Sequence, residues 1–115
     1  MKLGLISAIL GDLSFEEMID FLAECGLECV EVACWPKGKA ERRYAGVSHI
    51  DVDTLDDEKC AHILDYCQKK GVEISSLAYY PNTMDPDVEK RTAYIEHLHK
   101  PVSYTHLTLP TIRLV

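Results

Sequence analysis

The chain has 115 residues, enough for one small domain and little more. Its 12 lysines and arginines stand against 19 aspartates and glutamates, and the formal charge of −7 repels phosphate backbones, so no nucleic-acid partner is expected. No run approaches the ~20 apolar residues of a membrane span, and the start of the chain lacks a cleavable leader pattern, so the expectation is no membrane partner and a cytoplasmic setting.

Five cysteines, Cys25, Cys29, Cys34, Cys60 and Cys67, are odd in number and contain no Cys-x-x-Cys pair. Neither a disulfide framework nor a zinc ribbon follows from that spacing, and reduced thiols packed in a core are expected. Cys60 and Cys67 lie seven apart, two turns along one helix face, which favours packing over metal.

Lys2 to Leu10 is a nearly continuous apolar run bounded by Gly11-Asp12, as in a strand buried on both faces of a parallel sheet. Ser14-Phe-Glu-Glu17 forms a capping box and predicts a helix to Cys25, with Phe15, Met18, Ile19, Leu22 and Cys25 at helical spacing and Gly26 as its stop. Leu27 to Cys34 is the second predicted strand, with Val30 and Val32 on one face and Cys29, Glu31 and Ala33 on the other. Glu31 in mid-strand must be paired or hydrogen-bonded, because burying a bare carboxylate costs several kcal/mol. It is either a polar layer beneath a substrate site or a structural hydrogen-bonding residue.

Trp35-Pro36 ends that strand and opens a polar connection to about Asp53, long for a βα loop and therefore of functional interest. Lys37, Lys39, Arg42 and Arg43 either meet a phosphate or carboxylate or form a solvated basic loop. His49-Ile-Asp51 reads as a base with its orienting carboxylate or as a metal pair.

A second helix is predicted from about Asp56 to Lys70, with Cys60, Ile63, Leu64 and Cys67 inward, His62 at the surface and Gly71 as the stop. Val72 to about Tyr80 is the third strand. It delivers Tyr79, Tyr80 and, after Pro81, Asn82, whose hydroxyl and amide groups suit a polar ligand. The third helix is predicted to start with Asp85 as N-cap and Pro86 at its first position. Val88, Tyr94, Ile95 and Leu98 form its core face, His97 and His99 lie exposed in its last turn, and Pro101 ends it.

The order is three strand–helix units, and both helix-to-strand junctions share a pattern, GLECVEV and GVEISSL. Such repeats build a parallel sheet through right-handed crossovers, with ligand groups at the carboxyl ends of the strands.

The first strand followed by SFEE, the GLECVEV strand, CWPKGKAERRYAGVSHIDVD and YYPNTMDPDVEKR together resemble the xylose isomerase-like TIM-barrel superfamily, the sugar phosphate isomerase/epimerase group that also includes endonuclease IV-type proteins. The resemblance covers residues 1–100 and implies the first three βα units of a partial (β/α)8 TIM barrel. It further implies a divalent metal, manganese, magnesium or zinc, held in the parent protein by two Glu, one Asp and one His. Those ligands would lie beyond residue 100, so none is carried over here. By position, Glu31 would lie beneath a bound sugar or sugar phosphate, with Trp35, His49, Tyr80 and Asn82 lining or closing over it. The implied reaction moves a proton between adjacent sugar carbons, and the three-unit part alone is expected to be inactive. Two alternatives stand beside it. One is an endonuclease IV-like repair enzyme of the same fold, against which the charge argues. The other is a small flavodoxin-like binding domain without chemistry.

Residues 101–115 differ from the rest, with no acidic residue and neither helical nor strand periodicity. Val102 to Thr111 (VSYTHLTLPT) resembles the translation of a transposon-end sequencing adapter, and the segment is expected to be a non-native tail. Three units alone leave the first and third strands as unpaired edges, from which marginal stability and aggregation are expected.

Overall fold

Parallel strands and helices alternate along the chain in the computed structural model, which describes residues 1–36, 46–104 and 107. The elements are β1 (Gly4–Ile6), a 3-10 turn (Ser7–Leu10), α1 (Phe15–Glu24), β2 (Cys29–Ala33), α2 (Asp57–Lys70), β3 (Glu73–Ala78) and α3 (Val88–Ser103). The strands form one parallel sheet in the order β1-β2-β3. A flavodoxin-like sheet would put β3 beside β1. Here β3 pairs with β2, so that alternative does not describe this sheet.

Local chemistry sets the helix ends. Ser14 Oγ accepts from Glu17 N at 3.2 Å while Glu17 Oε1 accepts from Ser14 N at 3.2 Å, which satisfies two donors that open α1. Asp56 Oδ1 accepts from Lys59 N at 2.8 Å at the start of α2. The chain leaves α1 and α2 through Gly26 and Gly71, at φ of 74° and 71°, a conformation that carries little cost without a Cβ.

Winding in one direction puts α1 and α2 on the same face of the sheet. Met18, Ile19 and Leu22 of α1, Cys60, Ile63 and Cys67 of α2, and Val30, Val32 and Ile74 of the strands share one buried cluster. Outside it, Tyr66 OH donates to Asp20 Oδ1 at 2.6 Å and Lys70 pairs with the same carboxylate at 3.2 Å, tying α2 to α1. The Asp20 acceptor pushes the Tyr66 phenol up to about 12. The other face of the sheet carries Ile6, Cys29, Glu31 and Ser76, all only half-buried.

Several expectations are corrected. The first strand is three residues long because Ser7 turns the chain into the 3-10 segment, and it ends well before Leu10. Cys25 is the exposed C-cap of α1 and Cys29 is half-buried, so only Cys34, Cys60 and Cys67 are core thiols. Burial pushes Cys34 up to about 12 and Cys67 up to about 11, which keeps them protonated and unreactive.

The third helix differs most. Asp87, not Asp85, is its N-cap, accepting from Glu89 N at 3.0 Å, while Asp85 Oδ1 accepts from Asp87 N at 2.9 Å and shapes the preceding turn. Pro101 does not end α3. It falls in the last turn, where a missing donor costs one terminal bond, and the helix runs on to Ser103. The expected core face is also wrong in part, since Val88 and Ile95 are exposed and the buried residues are His97 and Pro101. The cause is where α3 touches the domain. Its C-terminal half does so through His97, a Lys100–Asp53 ion pair, and Tyr104 OH donating to Leu55 O at 2.9 Å.

Leu107 follows on and is 2% exposed within the main cluster. Truncation there leaves a cavity beside Ile74 and Cys67, so Leu107→Ala is expected to cost about 2 kcal/mol or more in urea unfolding. An unchanged midpoint would show that Leu107 is not packed in the core.

Candidate functional site

The carboxyl ends of the strands are where an α/β sheet presents its ligand groups. Here that end is built from Ser7 after β1, Glu31 to Trp35 on and after β2, the segment 46–52, and Ser76 to Asn82 on and after β3.

Glu31 owes its surroundings to an irregularity. Val30 pairs with Ile74, but Glu31 pairs with Ser76, so Ser75 is an extra residue at a bulge between them. Ser75 Oγ donates to Val30 O at 3.2 Å, and Ser76 is left beside the carboxylate. Glu31 Oε1 then accepts from Ser76 Oγ at 3.0 Å and from Tyr80 OH. Its other oxygen, Oε2, has no hydrogen-bond partner among the described residues. The carboxylate is thus oriented through one oxygen, with the second able to accept from a ligand hydroxyl or amine.

An aromatic rim adjoins it. Trp35 meets Tyr79 and Tyr80 edge to face, with ring centroids 5.8 and 5.6 Å apart. Tyr80 is 56% exposed while Tyr79 is buried, and burial raises the Tyr79 phenol above its ordinary range. Tyr79 in turn packs on the His97 ring at 4.6 Å. An exposed tyrosine beside a half-buried indole is a surface that suits the C–H face of a polar ring.

His49 sits differently from Glu31. Its Nε2 lies 3.0 Å from Leu10 O, which only accepts, so Nε2 carries a proton. Nδ1 lies 2.9 Å from Ser7 Oγ, which itself accepts from Ala33 N at 2.8 Å. In the neutral ring the Ser7 proton goes to Nδ1, and both His49 nitrogens are occupied inside the protein. Burial holds the His49 ring below the ordinary histidine range, against the opposing effect of the Leu10 and Leu13 carbonyls. His49 therefore clasps the 3-10 turn to the segment after Cys34, which also forms an isolated bridge from Cys34 to Ser48.

Neither the family models nor the curated proteins compared with this chain yield a match.

Asn82 is exposed, and its Oδ1 accepts from Met84 N at 3.1 Å, closing the turn after β3. Among the expected site residues, then, the structure brings Glu31, Trp35 and Tyr80 together, sets His49 in a structural clasp, and puts Asn82 to work in a turn. Lys37, Lys39, Arg42 and Arg43 lie outside the described residues. Among the described residues no group of three His, Cys, Asp or Glu side chains could hold a metal ion. The metal that the resemblance implies has no ligand set among those residues. A groove at the opposite end of the sheet, between Leu64, Cys67, Val72 and Ile74, is edged by Lys2, Glu28, Gln68 and Glu73, of which Lys2 and Glu73 pair with each other.

Three contributors escaped the sequence reading. Ser7 is a lone hydroxyl inside an apolar run, a signal that a buried partner must exist. Ser76 becomes a neighbour of Glu31 only through the bulge. Helical position puts His97 in an exposed last turn, yet it is 7% exposed and its Nε2 donates to Cys34 O at 2.8 Å.

Among the described residues no helix is long and apolar enough to cross a membrane.

Proposed function

We propose that residues 1–100 are the first three βα units of a xylose isomerase-like barrel, and that the parent protein is a metal-dependent sugar or sugar-phosphate isomerase or epimerase. The observation that carries this reading is the oriented carboxylate. Glu31 is fixed through one oxygen by Ser76 and Tyr80, beside Trp35, on the half-buried sheet face that would line a barrel. A sugar hydroxyl donating to Oε2 would be held in a fixed direction, with its ring against the Trp35–Tyr80 rim. The one-way strand order also supports a barrel over a flavodoxin-like sheet. In this reading the carboxylate positions substrate, while the proton-transferring and metal-binding groups belong to later strands. In this reading the residues after Lys100 are adapter sequence, so the contacts of Pro101, Tyr104 and Leu107 belong to this chain and not to the parent protein.

The test is to sequence the genomic frame across the codons for Lys100 and Pro101, express the frame that follows, and incubate it with ketoses and ketose phosphates in deuterated water with manganese or magnesium. Exchange of deuterium into the carbon beside the carbonyl is the expected result. Glu31→Gln in that protein should lower kcat/KM about tenfold, the loss of one hydrogen bond to a charged acceptor. A frame that runs on as Val102-Ser-Tyr, or no exchange with any ketose, would sink the reading.

A further inference from the structure

The aromatic rim is held from behind by a residue on α3. His97 is buried against two different groups: its Nε2–H donates to the carbonyl of Cys34, and its ring packs on Tyr79 at 4.6 Å. Cys34 is the residue after β2 and the one before Trp35, and its own N–H donates to Ala78 O at 2.9 Å. Tyr79 follows Ala78. One imidazole therefore touches both chains at the point where they leave the sheet, and those are the chains that carry Trp35 and Tyr79–Tyr80.

Two further attachments keep α3 in that place. Lys100 pairs with Asp53, whose carboxyl is held below its ordinary range by that bond, and Tyr104 OH donates to Leu55 O. His97, Lys100 and Tyr104 stand at i, i+3 and i+7, one face of the helix. That face reaches the rim through the backbone of Cys34 and the ring of Tyr79.

We propose that His97 is a positioning residue for the Trp35–Tyr79–Tyr80 rim, fixing the direction in which Trp35 leaves β2. The proposal rests on reading that rim as the ligand-facing surface. Removing the Nε2 donor frees the Cys34 carbonyl to turn toward water, and Trp35, the next residue, turns with it. The effect on ligands would be indirect, a change in how the rim is shaped and in KM rather than in any chemical step.

Trp35 is the single tryptophan of the chain, so its fluorescence reports the rim without a ligand. The full 115-residue chain is compared with His97→Phe, which keeps a ring on Tyr79 and loses the donor, and His97→Gln, whose amide N–H can reach the same carbonyl. The expected result is a red shift of Trp35 emission in His97→Phe, with roughly twofold higher acrylamide quenching as a half-buried indole becomes exposed. His97→Gln should restore both signals most of the way, and thermal melts should place both variants well below their midpoints at the measuring temperature. Unchanged emission in His97→Phe, or equal shifts in Phe and Gln variants, overturns the proposal. If His97→Phe does not fold, the unaltered chain still decides: long-range proton–nitrogen NMR at pH 8 should find His97 as the Nε2–H tautomer, and an Nδ1–H tautomer overturns it. Because neither readout uses a sugar, failure here is separable from failure of deuterium exchange in the parent protein.

Discussion

Gly4→Ala is expected to abolish the native sheet or to cost roughly 3 kcal/mol or more, a large share of the stability of a small domain. A Cβ built on Gly4 falls 2.1 Å from the Cys29 carbonyl oxygen and 2.5 Å from Cys29 Sγ. Gly4 and Cys29 are direct partners across the parallel ladder, and the oxygen belongs to the strand backbone, so no rotamer change relieves the contact. The strand cannot retreat easily either. Cys29 pairs on its other side with Glu73, and Glu28 N donates to Leu3 O at 2.9 Å on the side of the clash. Urea unfolding of Gly4→Ala beside Leu3→Ala, an exposed neighbour, checks the claim. Adding Cys29→Ala removes the sulfur contact but not the carbonyl contact, so the double variant should recover only part of the loss. A Gly4→Ala midpoint equal to that of the unaltered chain, or full recovery by Cys29→Ala, would show that the backbone approach is not what requires glycine.

What could be read from the sequence was mostly short-range. The Ser14–Glu17 box and the left-handed Gly26 and Gly71 are written within a few residues of the places they act, and each acts as expected; Asp56, expected as the start of the second helix, proves to be its N-cap. The two faces of β2 were also legible, because strand alternation needs no partner: Val30 and Val32 go inward to the helices and Glu31 to the other face. That Glu31 would require hydrogen-bond donors followed from the energy of burying a carboxylate. Which donors it takes did not follow. Ser76 faces Glu31 because one extra residue in β3 shifts the pairing, and a shift of one residue exchanges faces.

His97 marks the other limit. Read by itself, a histidine near the end of a helix belongs in solvent, where it complements the helix dipole. Once Pro101 is allowed inside the last turn, Tyr94, His97, Leu98 and Pro101 fall on one stripe, and the histidine belongs to the contact face. What no local pattern contains is its partner, a carbonyl 63 residues earlier in the chain. Exposed Val88 and Ile95 are the converse case: helical spacing identifies a stripe, but only the position of the sheet decides how far the stripe is covered.

Removing the Ser7 hydroxyl should also be costly, and the loss should connect to pH. Ser7 is fully buried, accepts from Ala33 N–H and donates to neutral His49, so Ser7→Ala leaves a buried N–H and a ring nitrogen without partners at once. The expected cost is about 1–3 kcal/mol for the orphaned amide. Acid should attack the same clasp. Burial holds the folded-state pKa of His49 below the ordinary value, so on lowering the pH the unfolded chain takes up the proton first. Stability is then insensitive to His49 well above the unfolded pKa of roughly 6.5, and falls as the pH drops from there toward the lower folded value. His49→Gln removes this titration and leaves the other four histidines in place, so the difference between the two proteins isolates it. Urea midpoints at pH 7.5 and 5.5 should fall further in the unaltered chain than in His49→Gln. Equal falls would mean that His49 titrates in the folded protein as it does in the unfolded chain, and that the ring is not enclosed between Ser7 and Leu10.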